Sequence, residues 1–116
     1  MNDALLTFRK NLQTFMEVKG YNQTSLANEI GVTNATISKW ILGKSEPSFK
    51  YIDLLCDALD CTRSQLVEIP QTPQTIMEQK RLDRLLAYYK MLTPDGVEKT
   101  LEYFEDLNPK FYKGEE

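Results

Sequence analysis

The chain has 116 residues, 41% hydrophobic and 27% charged, which suits one globular domain or one small domain with an appendage. Its longest apolar run, Leu85-Leu86-Ala87-Tyr88-Tyr89, is far short of the roughly 18 residues a membrane span needs, and its start has no apolar stretch of signal-peptide length, so a soluble cytoplasmic protein with no membrane partner is expected. Net charge is −3 with no histidine, and the five glycines are scattered; without the commonest general base, the commonest metal ligand or a phosphate-cradling loop, no catalytic residue, metal site or cofactor is expected and the chain does not read as an enzyme.

The chain divides into helical pieces, with no strand pattern. Leu5, Phe8, Leu12, Phe15, Met16 and Lys19 recur at three- and four-residue steps, so a helix is expected from about residue 4 to 19, with Asp3 as N-cap and Gly20 as its stop. A second helix, capped by Asn22 and starting near Gln23, carries Leu26, Ala27 and Ile30 and stops at Gly31. A third begins at Thr33 or Asn34, both good caps, and runs to about Leu42 before Gly43, with Ile37, Trp40 and Ile41 inward. After the loop Gly43–Pro47, Ser48 caps a fourth helix carrying Phe49, Ile52, Leu55, Cys56 and Leu59, and a short fifth follows Thr62 with Leu66 and Val67. Cys56 and Cys61 lie on an apolar stripe with no second cysteine pair, so they read as small buried hydrophobes.

Residues 69–75 contain two prolines and no periodicity and read as a linker. Beyond them Met77, Leu82, Leu85, Leu86, Tyr89 and Leu92 mark another helix. Thr93 as cap, Pro94 as first helical residue and Asp95 in the first turn open the last one, which presents Val97, Leu101, Phe104 and Leu107 and ends at Asn108-Pro109. The tail from Lys110 is expected to fray. The chain thus divides into a unit over 1–68, a linker over 69–75 and a helical hairpin over 76–116.

The stretch from Gln23 to Gly43 carries the function. Two short helices joined by a glycine-containing turn form a helix-turn-helix. Ala27 is small where the helices approach, Gly31 takes a positive φ, Val32 plugs the turn, and Ile37 and Trp40 pack the second helix onto the body. Asn34, Ala35, Thr36, Ser38 and Lys39 are left mostly outward. That is the chemistry a major groove demands: Asn pairs bidentately with adenine, Lys donates to guanine, and Ala or Thr methyls meet the thymine methyl. Taken singly, Asn34 could be a mere cap and Lys39 a solvated surface residue; the surrounding frame favours base reading.

That frame resembles the phage-repressor-like (Cro/repressor, xenobiotic-response-element type) helix-turn-helix regulators over about residues 5 to 68, through Leu26-Ala27, Ile30-Gly31-Val32, Ile37-Ser38-Lys39-Trp40, Gly43-Lys44, Pro47-Ser48 and the Leu59 to Leu66 segment. The resemblance implies an all-α fold: a five-helix lambda-repressor-like bundle whose third helix enters the major groove, followed by the C-terminal helical hairpin. Carried over by position, Asn34, Ala35 and Lys39 read bases, with Thr36 and Ser38 as further contacts. Gln23, Thr33 and Lys44 look like phosphate contacts, for Gln23 and Lys44 against the plainer readings of capping and solubility. Where relatives pair a Glu after the Trp with a helix-one Arg, this chain is expected to place Ile41 against Met16. Asp60 stands where relatives favour Gly.

The hairpin is too small for a core of its own. Leu85, Tyr89, Leu92, Leu101 and Phe104 are expected to dimerise two copies; docking on its own domain and binding a different protein stay open. The leading expectation is a homodimeric, sequence-specific regulator of transcription, a repressor, on double-stranded DNA with a near-palindromic operator. The other is a protein-interaction module of antitoxin or antirepressor type, engaging its partner through the hairpin. Residues 1–68 carry seven Lys/Arg against eight Asp/Glu, so no bulk basic patch exists and weak non-specific DNA affinity is expected.

Overall fold

The computed structural model describes residues 3–114. Among these the chain is all-helical: α1 (Asp3–Lys19), α2 (Gln23–Ile30), α3 (Asn34–Leu42), α4 (Phe49–Leu59), a π-helical turn (Ser64–Glu68), α5 (Pro73–Met91), α6 (Pro94–Glu105) and a 3-10 turn (Pro109–Phe111). It forms two compact units that part between Glu78 and Gln79, inside α5.

The first unit is held by one core. Leu12, Leu26, Ile37, Leu55, Leu59 and Leu66, one or two from each element, are fully buried, and Phe8, Phe15 and Trp40 fill the space between them. The helices stop by one device used four times. Gly20, Gly31, Gly43 and Asp60 each take a left-handed conformation (φ between 54° and 79°). The next residue's N–H then reaches back to the last turn: Tyr21 to Met16, Val32 to Ala27, Lys44 to Lys39 and Cys61 to Cys56, at 2.8–3.0 Å. In this motif the two bonded residues also touch side chain to side chain. That accounts for the cysteines: Cys56 and Cys61 are the apolar contact closing α4, and burial pushes both thiols up, Cys61 to about 12. Asp60 carries the one positive φ outside glycine among the described residues, and its carboxylate lies 3.5 Å from Lys19.

Several boundaries differ from the sequence reading. Asp3 is already helical rather than a cap. Ser48 occupies the cap position of α4 but makes no side-chain cap bond. Phe49, expected inward, is 78% exposed, lying beside the Arg63 guanidinium at 5.5 Å on the rim of a groove of about 600 Å³. The fifth helix is wound as a π turn, capped by reciprocal bonds between Thr62 and Gln65 and closed by the Ile69 N–H on the Ser64 carbonyl.

The expected linker over 69–75 is corrected: it ends at Thr72. Thr72 and Thr75 cap α5 reciprocally, Pro73 is its first residue, and Ile76 is buried in the first unit's core. The chain before it is anchored by Asn11, which is 1% exposed. Its amide nitrogen donates to the carbonyls of Gln65 (3.0 Å), Leu66 (3.0 Å) and Ile69 (2.8 Å), and its oxygen accepts from the Gln71 N–H at 2.8 Å. The π turn's end carbonyls, which no helix bond can satisfy, find their donor there.

In the second unit Thr93 caps α6 through the Gly96 N–H with Pro94 next, as expected. The two helices of the expected hairpin, α5 and α6, join through Leu92 and Thr93 and leave their large apolar side chains exposed. Past α6 the chain does not simply fray at Lys110: it makes the 3-10 turn, and the Tyr112 hydroxyl donates to the Phe104 carbonyl.

Candidate nucleic-acid interface

The candidate interface is built on α2 and α3. Asn22 and Ser25 cap α2 reciprocally, the side chain of each accepting the other's backbone N–H at 2.8 and 2.9 Å. Gly31 turns the chain, and Thr33 opens α3 by accepting the Thr36 N–H at 3.1 Å. Ile37 and Trp40, at 0% and 3% exposure, fix which side of α3 faces the core. At 100° per residue the opposite side gathers Asn34, Ala35, Ser38 and Lys39. Asn34, Ala35 and Lys39 are exposed and Ser38 is half-buried. Thr36 falls outside this group, at the rim of the core, with its hydroxyl 2.9 Å from that of Thr33. Thr33 itself is exposed, but its hydroxyl is the cap of α3.

Both ends of α3 are tied down. At its C-terminus Arg9 of α1 donates through Nε to the Ile41 carbonyl at 2.9 Å, satisfying a carbonyl the helix leaves unpaired and setting a cation against its negative end. Helix one thus supplies an arginine to this end of α3, but through the backbone of Ile41 rather than a side chain. Met16 is buried in the core, and Ile41 packs half-buried against that same core. A methyl group at Gly43 would stand 3.1 Å from three Arg9 side-chain atoms, so this glycine serves both the positive φ and the arginine. At the N-terminus Asn34 donates from its amide to the Thr24 hydroxyl at 3.3 Å, joining the starts of α2 and α3. Half-buried Gln23 precedes Thr24, so the start of α2 stands beside the start of α3.

Charge on this surface is local. From Thr33 to Ser45 the chain holds Lys39 and Lys44 and no carboxylate, and the Lys44 N–H bonded to the Lys39 carbonyl keeps the two together at the end of α3. Sequence reasoning missed three residues here: Arg9; Thr24, signalled only by its place after Gln23; and Leu42, 54% exposed one turn beyond Ser38. Leu85, Tyr89, Leu92, Leu101 and Phe104, in the second unit, are all exposed.

Residues 12–66 match the helix-turn-helix family. The chain carries a helix-turn-helix domain of the Cro/C1 type. The match runs from the middle of α1 to the π turn and encloses α2 and α3. The matched domain is that of a DNA-binding regulator of transcription, and its family is one of regulators rather than enzymes. Comparisons with curated proteins and with solved structures return no match. Among the described residues no helix is long and apolar enough to cross a membrane, and no group of three or more Cys, Asp or Glu could hold a metal ion.

Proposed function

We propose that the protein acts in the cytoplasm as a repressor that binds a near-palindromic operator as a homodimer, laying α3 in the major groove of each half-site. The observation that carries this reading is the outward face of α3. Asn34, Ala35, Ser38 and Lys39 share it, while the helix is pinned at one end by Arg9 and at the other by Asn34 and Thr24. A rigid helix with short polar side chains and one cation on its free face suits base edges better than a protein groove, which would ask for large apolar anchors. Asn34 and Lys39 read bases, with Ala35 and Ser38 beside them. Gln23, Thr33 and Lys44 hold phosphates, Gln23 beside the free N–H groups that open α2. The Asn34 amide has two N–H groups; with one on Thr24, the other and the carbonyl oxygen remain for adenine. The unit ending at Glu78 does the reading, and residues 79–116 supply the contact between copies.

The test is selection of genomic or random DNA fragments by the purified protein at moderate salt, with the bound pool sequenced. An inverted repeat with half-sites about ten base pairs apart is expected. Asn34→Ala and Lys39→Ala should each lower the preference for that repeat by about 1–3 kcal/mol while leaving most non-specific affinity. A pool without enrichment, or site preference unchanged in both variants, would reject the assignment.

A further inference from the structure

The second unit leaves two apolar stripes without a partner. On α5 the stripe runs through Leu82, Leu85, Leu86 and Tyr89; on α6 it runs through Val97, Leu101 and Phe104, at the three- and four-residue steps of one helix face. Leu85 is 59% exposed, Tyr89 58%, Leu101 47% and Phe104 43%. Only Leu92 and Thr93 separate the helices. Thr93, held extended before Pro94 (φ −73°, ψ 165°), and Leu92, packed so close to Gly96 that a methyl there would lie 3.3 Å away, form a tight corner. The helices are not laid along each other.

Their charges are opposite. From Gln79 to Met91, Lys80, Arg81, Arg84 and Lys90 stand against Asp83, leaving this part of α5 with +3. In α6, Asp95, Glu98, Glu102 and Glu105 stand against Lys99, leaving −3. At 100° per residue Arg81 and Lys90 flank the α5 stripe, and Glu98 and Glu105 lie beside that of α6. Pairing α5 with α5, or α6 with α6, sets like charges along the contact; pairing α5 with α6 sets opposite ones. The two stripes also match in length, about two turns or roughly 11 Å each.

We infer that two copies of this chain associate crosswise, α5 of each chain against α6 of the other. This rests on the homodimer of the proposed function and specifies which faces make it. A two-fold axis uses the pairing twice, so both stripes of both chains are covered by one interface. Six half-exposed large side chains per chain offer several hundred Å², the order of the roughly 800 Å² per partner that a stable pair buries.

Charge reversal tests it in the full chain, by sedimentation equilibrium at low salt, with helix content checked by circular dichroism. One variant is Arg81→Glu with Lys90→Glu; the other is Glu98→Lys with Glu105→Lys. Each alone should raise the dimer dissociation constant by about tenfold or more, since several attractive pairs become repulsive. Mixed together they should form a heterodimer as tight as the wild-type dimer, because both crosswise contacts are again opposite in charge. A chain carrying all four changes should dimerise like wild type. If the first variant alone dimerises as well as wild type, like helices pair and the inference fails. If the fourfold chain recovers but the mixture does not, α5 and α6 pair within one chain and it fails as well. A monomeric wild type would instead reject the homodimer reading itself.

Discussion

Replacing Asn11 with alanine should cost the helix-turn-helix unit about 3 kcal/mol. Asn11 makes four hydrogen bonds at 2.8–3.0 Å from a position 1% exposed. A net hydrogen bond contributes about 0.5–1.5 kcal/mol, and a buried group left unpaired costs about 1–3 kcal/mol. The bond to Leu66 is buried outright, while those to Gln65, Ile69 and Gln71 are part-buried and can partly turn to water once the amide is gone, which holds the total below the simple sum. A unit of this size is stable by only about 5–10 kcal/mol, and each kcal/mol moves its midpoint by about 4–8 °C, so Tm should fall by roughly 15–20 °C. Trp40, the single tryptophan, is buried and reports unfolding by fluorescence in a urea titration. Asn11→Asp should cost more than Asn11→Ala at neutral pH, because a carboxylate would face three carbonyls with no proton to give them. A loss below about 1 kcal/mol for alanine, or aspartate better tolerated than alanine, would refute the clasp.

Arg9→Met removes a charge-assisted bond to the end of α3 and should lower stability by about 1–2 kcal/mol in the same titration. Gly43→Ala should cost about as much through its positive φ and its contact with Arg9, and should cost less in an Arg9→Ala background, where the Cδ, Nε and Cζ it strikes are gone; strict additivity would reject that coupling. Burial raises the Cys61 thiol from the ordinary 9.0 to about 12, with nearby Asp60 pushing the same way and Lys19 against. The folded state thus keeps a proton the unfolded chain gives up, so this contribution to stability is whole below pH 9 and lost as pH rises toward about 12. Cys61→Ala should flatten that alkaline decline in denaturation midpoints measured across the range. Thr24→Val keeps the shape of the threonine but removes the acceptor that orients Asn34. It should weaken discrimination at the base Asn34 reads by about threefold to tenfold in gel-shift competition, without changing non-specific binding, and unchanged discrimination would remove Thr24 from the site.

The stops and starts of α1, α2, α3 and α6 were legible where each is a local event. Gly20, Gly31 and Gly43 take the positive φ that glycine alone adopts freely, and Asn22, Thr33 and Thr93 each cap the helix that begins one residue later. Thr72-Pro73 carries the same signature as Thr93-Pro94, yet it reads as linker because polar Gln74 and Thr75 come next; its helix is settled by Ile76 reaching a core made elsewhere. Asn11 sits three residues after Phe8 and four before Phe15, on the apolar face of α1, so its burial could be read, but the carbonyls it serves lie 54 to 58 residues away. Arg9 was missed for a related reason. Its partner is a backbone carbonyl, which exists at every position and marks none in the sequence. The exposed face of α3 followed from Ile37 and Trp40, whereas Thr24 became visible only once α2 and α3 were set end to end.

In the proposed dimer, the scarcity of cations ties DNA reading to self-association. The chain is acidic overall, at −3, and the outward stretch around α3 offers only Lys39 and Lys44. Each neutralised phosphate adds about 0.9 to the salt slope, so one copy gains a slope of roughly 2 at most from these lysines and little non-specific adhesion. In the proposed dimer the second half-site is met at an effective concentration near the millimolar range, which turns two weak readings into one firm one. Occupancy of an inverted repeat should then follow dimer concentration rather than chain concentration. The α5 and α6 charge-reversal variants, whose reading faces are untouched, should each release the operator at concentrations where they are monomeric, and their mixture should take it up again. Recovery in the mixture alone would link the charges of the tail to the grip of α3, through nothing but the joining of two copies.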